Sequence, residues 1–345
     1  MTTQLDYSVG IGKESTYGTA VTPTRFFETD AKMKYDVQKT QSKMNRSGKR
    51  VNRLNRNVLK HIEVKGDMTF EAASKGFGFL LEAVLGLVTN TQIPSTSPAV
   101  YQQVHKIKKT DPVNSYTIQE VLPFVGGGAG QPHTFTGCVA KSIELSAKEG
   151  GIVEAKISWL GRDMKTDVSA AAVSYPINDE LFTFVGGSIG YAGALTEPTA
   201  TAVASLSGAA ASNVNDFAVT VDNNLDTGGY NMGSAGLRTR PNVLGMASIT
   251  GKMTAEYSDN TLRDAYIAQT PLPLVLNFVQ STVLSTAPSN TYATLQIVLP
   301  SILLKGDIPE ADGSPISTGV DWEAFDNGSA NEPIWIVYRT LDTTP

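Results

Sequence analysis

Val64-Lys65-Gly66-Asp67-Met68-Thr69-Phe70-Glu71-Ala72-Ala73 and, 185 positions further on, Ile249-Thr250-Gly251-Lys252-Met253-Thr254-Ala255-Glu256-Tyr257-Ser258 decide how this chain reads. Each alternates apolar with polar residues at period two, the pattern of a half-buried strand. They agree at Gly, Met, Thr and Glu, and a helical pattern follows each. After the first, Phe77, Leu80, Leu81, Val84 and Leu85 form one apolar stripe, with Ser74 placed to cap the start and Gly86 the end. After the second, Leu262, Ala265 and Tyr266 make a shorter stripe within 259–269, behind Ser258-Asp259.

Working outward, both halves continue into strand pairs that end near a tryptophan, Trp159 or Trp322. In the first, Ile143 and Leu145 oppose Ser142, Glu144 and Ser146. After Lys148-Glu149-Gly150-Gly151, whose glycines suit a tight turn, Val153, Ala155, Ile157 and Trp159 oppose Glu154, Lys156 and Ser158. Further strands are expected at 217–221, 295–299, 320–325 and 334–338, and an extended stretch from Phe26-Phe27. The expected fold is mainly β: two tandem β-sandwich or barrel halves, each with one short helix, from internal duplication. The halves span 1–165 and 213–345. Between them 166–212 is an Ala/Ser/Thr/Gly-rich connection in which 181–186 reads as a strand.

The 345 residues, 41% hydrophobic and 18% charged, fit neither a disordered chain nor a membrane protein. One cysteine, Cys138, excludes an intramolecular disulfide and a multi-thiolate zinc site. MTTQLDYSVG lacks a signal-peptide pattern, and the longest apolar run, 77–88, contains Glu82 and is short for a bilayer. A soluble intracellular product without membrane contact is the expectation. The net charge of −5 divides unevenly: residues 32–65 carry +9 and the remainder −14. The basic arm, 38–60, holds Lys39, Lys43, Arg46, Lys49, Arg50, Arg53, Arg56 and Lys60. It lacks the interleaved aromatics of a single-strand platform and a helix-turn-helix context. Met44, Val51, Leu54 and Val58 suit an amphipathic or docked segment, and the acidic remainder supplies a complementary surface on another copy of the chain.

Catalytic strings fail on their chemistry. Gly186-Gly187-Ser188-Ile189-Gly190 fits G-x-S-x-G, but His61, His105 and His133 all precede Ser188, and the string reads as a glycine turn. Gly10-Ile11-Gly12-Lys13 meets Glu14 where a phosphate loop needs a hydroxyl, and reads as an N-terminal arm. Gly126-Gly127-Gly128-Ala129-Gly130 reads as a loop. Asp222, Asn224 and Asp226 begin like a calcium loop but meet Thr227 and Gly233 where Gly and Glu are needed. His133 with Cys138 supplies two ligands at most. No catalytic residue, cofactor or metal site is expected, and the chain does not read as an enzyme.

The residues resemble the major tail-tube proteins of long-tailed, siphovirus-type bacteriophages. The resemblance rests on VGIGKESTYGTAVTPTRFFE (9–28), with its Gly-Lys-Glu-x-x-Tyr-Gly-Thr run, and on VKGDMTFEAASKGFGFLLEAVLG (64–86). TGCVAKSIELSAKEGGIVEAKISWLG (136–161), NDFAVTVDNNLD (215–226) and ITGKMTAEYSDNTLRDAYIA (249–268) extend it, in that order. It implies a tail-tube β-sandwich or barrel with a flanking helix, assembled as stacked rings around a channel through which DNA leaves the capsid. It further implies that the 38–60 loop reaches the neighbouring ring, and that a tape-measure protein is a partner during assembly. One sheet would line the channel, with Glu144, Glu154 and Lys156 as candidate lumen-facing residues. With two tail-tube halves, three chains make a pseudo-sixfold ring; with one fold per chain, six are needed. The implied location is the virion tail, after assembly in the host cytoplasm. The rival reading is a β-sandwich adhesin or carbohydrate-binding module, although Trp159, Trp322 and Trp335 all fall in strand-like alternation.

Overall fold

The structure, a computed structural model, describes residues 7–44, 46–111, 113–124, 130–210, 213–256, 260–306 and 317–345. The first half runs β1 (Ser8–Lys13), β2 (Arg25–Phe27), β3 (Thr29–Gln41), β4 (Asn57–Glu71), α1 (Phe77–Leu85), β5 (Gly86–Gln92), β6 (Tyr101–Ile107), β7 (Tyr116–Leu122), β8 (Gln131–Lys148), β9 (Glu154–Gly161) and β10 (Asp163–Lys165). Then come β11 (Gly187–Tyr191), β12 (Ala194–Thr196), β13 (Ser205–Ser207), β14 (Val214–Asp222), β15 (Ser248–Glu256), α2 (Thr261–Ala268), β16 (Leu272–Ser285), β17 (Thr291–Gly306), β18 (Ser317–Ala324) and β19 (Trp335–Thr340). The chain is mainly β, with two short helices, as its alternation predicts.

The matched segments lie in β4 and β15, and their shared residues do the same work twice. Met68 and Met253 are buried in the core, whereas Thr69, Glu71, Thr254 and Glu256 lie off it. Gly66 stands opposite Trp159 on β9, as Gly251 stands opposite Trp322 on β18. The Trp322 ring lies so close to Gly251 that a Cβ there would come within 2.0 Å of it. Around these pairs the antiparallel order β3-β4-β9-β8-β7 is matched by β14-β15-β18-β17-β16. Both orders carry a register shift at the same place. One lies where Tyr116/Ile118 face Cys138/Phe135, the other where Leu272/Leu274 face Ile302/Leu299.

The shifts let β8 and β17 each serve two sheets. Residues 131–138 of β8 pair with β7 and β10, and β7 carries β1 and then β2. Residues 139–146 pair with β9, and the other edge of 142–148 takes β14, which joins the two halves into one sheet. In β17, residues 291–302 pair with β16 and β19, and 302–306 with β18. β19 carries β6 and β5, and β16 carries β11. The apolar faces meet in one core that includes Met68, Ile143, Ile157, Val219, Met253 and Leu295. Burying each such side chain contributes roughly 1.5–3 kcal/mol.

The two helices differ in environment. Eight of the nine residues of α1 are buried, the exception being Glu82. Its N-cap is Gly76 rather than Ser74, because Ser74 Oγ accepts the Glu180 amide at 3.0 Å; Gly86 ends the helix at φ 83° as expected. In α2 only Ala265 is buried, with Leu262 and Tyr266 half-buried against the core; Ser258-Asp259 lie outside the described residues.

Three other expectations are corrected. The Gly10-Gly12 string is no arm: β1 is a core strand with Val9 and Ile11 buried. Residues 181–186 form two isolated bridges and a 3-10 turn, although Phe182 is fully buried between the halves. The G-x-S-x-G string is not a free turn, because Gly187–Tyr191 pairs with β16. The Gly126 to Ala129 string lies outside the described residues. Period-two reading also misses β6 and β16. In β16, Leu274, Val275 and Leu276 are buried in succession because both faces are covered, and β6 buries Gln102, Gln103 and His105.

Candidate functional site

The basic arm is the outer end of a long hairpin. β9 supports β4 only as far as Val64, whereas β3 and β4 stay paired out to Gln41–Asn57. The Ser42 amide closes the ladder on the Arg56 carbonyl at 3.0 Å, and residues 43–55 form the tip. Lys39, Lys43, Arg46, Lys49, Arg50, Arg56 and Lys60 are exposed and Arg53 is half-buried. Arg46, Lys49, Arg50, Arg53 and Arg56 line a single cleft of about 280 Å³. Among the described residues none of the eight makes an ion pair. The tip is no amphipathic helix: Met44, Val51 and Leu54 are each more than four-fifths exposed.

The hairpin root is fixed by the second half, which the sequence pattern does not reveal. Gly236 O accepts the Ile62 amide at 2.8 Å, and Tyr230 donates its hydroxyl to Ile62 O at 3.1 Å while its ring contacts His61. The Arg238 guanidinium lies over that ring, 5.0 Å from its centroid.

Glu144, Glu154 and Lys156 all lie on the polar face of the joined sheet, behind the buried Ile143, Leu145, Ala155 and Ile157. Directly paired residues share a face, so Asp30, Thr69, Lys156, Glu144, Thr220, Thr250 and Glu323 form one row across seven strands. Lys156 Nζ lies 4.0 Å from Asp67 Oδ2, and Glu154 stands opposite Glu71. A shallow groove of about 320 Å³ continues the face between Glu144, Lys252, Lys305 and Asp321.

The Gly-Lys-Glu-x-x-Tyr-Gly-Thr run (12–19) works as a clasp. Lys13 Nζ meets Glu82 Oε1 at 2.5 Å. The buried Glu14 carboxylate accepts four hydrogen bonds, from Gly18 N, Ser115 Oγ and Gly137 N at 2.8 Å and from Thr117 Oγ1 at 2.9 Å. Gly137 is the point at which β8 leaves one sheet for the other. Its φ of 63° takes its amide out of the ladder, and Glu14 receives it.

A family model described as phage tail tube protein matches residues 5–324. The chain belongs to the phage tail tube protein family. No curated protein matches it. A tail tube protein is a structural component of the bacteriophage virion tail, which accounts for a molecule whose distinctive features are edges, a projecting hairpin and a polar sheet face.

In this tail tube protein the titratable groups that invite catalytic readings have structural surroundings. His105 is wholly buried and desolvation pushes its pKa down to about 3, so it is neutral. His61 sits 3.2 Å from Glu63, and burial raises the Cys138 thiol well above its usual range. Asp222 Oδ1 accepts the Asn224 amide at 2.8 Å in an Asx turn. Asp226 binds Arg240 at 2.7 Å, and that guanidinium holds its carboxyl below the usual range. Among the described residues no three His, Cys, Asp or Glu side chains gather as metal ligands, and no helix is long and apolar enough to cross a membrane. Trp159, Trp322 and Trp335 are buried rather than arranged as an aromatic platform.

Proposed function

We propose that copies of this chain close into rings, that the rings stack into the tail tube, and that DNA passes along the lumen without specific binding. The basic hairpin tip carries the proposal. The basic arm around it presents eight cations, five of them in the tip beside three large exposed apolar side chains, with no ion pair among the described residues, against a net charge of −14 outside residues 32–65. A tip of this kind suits the acidic body of a neighbouring ring. The polar row through Glu144 and Lys156, with Glu154 beside it, lines the lumen, where carboxylates repel the DNA backbone. The repeated strand order and paired register shifts support one fold written twice, with three chains giving a pseudo-sixfold ring. A tape-measure protein occupies the lumen while the tube assembles in the host cytoplasm.

Electron microscopy and light scattering of the purified chain test the reading. Rings or tubes are expected; a strictly monomeric species at all concentrations overturns it. Deleting 40–58 should leave a body with unchanged far-ultraviolet circular dichroism and melting that no longer polymerises. Unimpaired tube growth would end the arm's role. Strict sixfold repetition of the whole 345-residue chain in averaged rings would end the three-chain ring.

A further inference from the structure

We infer that the hairpin tip of one chain seats in an apolar cleft at the opposite end of a second copy, a cleft that the second half alone leaves open. The inference rests on the stacked-ring reading and names the acceptor for the tip. β4 and β9 define the two ends: Val64 pairs with Gly161 at one and Glu71 with Glu154 at the other, and the tip lies beyond Val64. At about 3.3 Å per residue, residues 57–63 carry it about 23 Å past β9. At the other end, Gly151 O accepts the Phe184 amide at 2.9 Å, and Lys148 stands opposite Asp216. There Phe184, Ile189, Val214, Phe217 and Phe278 line a cleft of about 280 Å³, and Val185 beside it is 85% exposed. Tip and cleft at opposite ends of one chain suit a head-to-tail contact, which repeats along a stack.

Comparison of the halves shows why each chain carries one of each. Glu120 on β7 matches Leu276 on β16, so Ser8 and Val9 of β1 match Ser188 and Ile189 of β11. Tyr7 therefore stands where Gly187 does. Tyr7 packs against the core with its hydroxyl buried, filling the place that Gly187 leaves open as part of the cleft. Conversely, the β14–β15 connection stands where the arm does, and it folds onto the hairpin root through Tyr230 and Gly236 instead of projecting. Charge agrees. The tip sets Met44, Val51 and Leu54 among Lys43, Arg46, Lys49, Arg50 and Arg53. Beside the cleft, Asp216 precedes Phe217, Glu256 accepts the Asn213 side-chain amide at 2.7 Å, and Glu149 is exposed in the 148–151 turn, against Lys148. Seating Leu54, itself 90% exposed, would remove its side chain from water and bring Arg50 and Arg53 to these carboxylates.

The test mixes a Leu54→Cys chain with a Ser188→Cys chain; Ser188 is an exposed residue of the cleft, and the native Cys138 is buried. Mild oxidation of co-assembled tubes should give covalent dimers on a non-reducing gel, and neither chain alone should give them. Ser188→Trp, which obstructs the cleft, should keep the far-ultraviolet circular dichroism of the unsubstituted chain and give single rings without tubes. Tubes that form without cross-links, or that grow unimpaired from Ser188→Trp, overturn the acceptor and leave the stacked-ring reading standing. Equal dimer formation by either chain alone also overturns the acceptor. Failure of the unsubstituted chain to form rings or tubes overturns the stacked-ring reading, and the acceptor with it.

Discussion

The two register shifts, at Gly137 in β8 and Pro300 in β17, solve one problem by opposite means. A strand that changes partners midway must withdraw an amide from the ladder, and a buried amide without an acceptor is costly. In the first half the amide is kept and given a partner. Gly137 turns to φ 63°, and Glu14, 123 positions away, accepts its N–H. In the second half Pro300 falls between Leu299 and Ile302, where the shift occurs, and has no N–H to place. The first solution depends on a distant segment and couples the N-terminal run to the sheet corner. The second is self-contained.

Glu14→Ala should do most damage, because it leaves four buried donors without an acceptor. A loss of about 4 kcal/mol in chemical denaturation is expected; a loss below about 1 kcal/mol would mean that water replaces the carboxylate. Gly137→Ala comes next, at about 3 kcal/mol, since the residue sits at positive φ and its Cβ would come within 2.8 Å of Arg162. A neutral result would show that the corner relaxes freely.

Third is a pH effect confined to the first half. Glu120 on β7 is buried where the matching position on β16 is the buried Leu276. Desolvation raises its pKa to about 7, although the Met33 amide donates to it at 3.3 Å. The folded chain therefore holds that proton to higher pH than the unfolded chain. Its contribution is fully present below the ordinary carboxylate range and is lost as pH rises through about 7. Melting followed against pH should show a decline worth about 3 kcal/mol that Glu120→Gln flattens; an unchanged decline would assign it elsewhere. Smallest, Pro300→Ala should cost about 1 kcal/mol, through a freer unfolded chain and one added amide. A loss matching Gly137→Ala would erase the contrast between the two corners.

Much of this was legible in the residues. Alternation located β4, β8, β9, β14 and β15, and four shared residues in ten marked both halves. It failed at β16, where Leu274, Val275 and Leu276 are buried in succession, and at β6, where Gln102, Gln103 and His105 are polar yet buried. It also failed at β1, where glycines in a buried strand resembled a loop. The eight basic residues were legible as a cluster, and Glu144, Glu154 and Lys156 as a polar side.

By itself, then, the sequence determined the β character, the two helices, the repeated block and the charge of the arm. Each is written in local order, where side-chain period and composition act over a few residues. Only the tertiary structure decided that Glu14 receives the Gly137 amide, that the 229–238 loop clamps the hairpin root, and that β8 joins β14. Those outcomes join segments far apart in the chain, and they follow from satisfying buried amides and covering apolar faces, which no local pattern encodes.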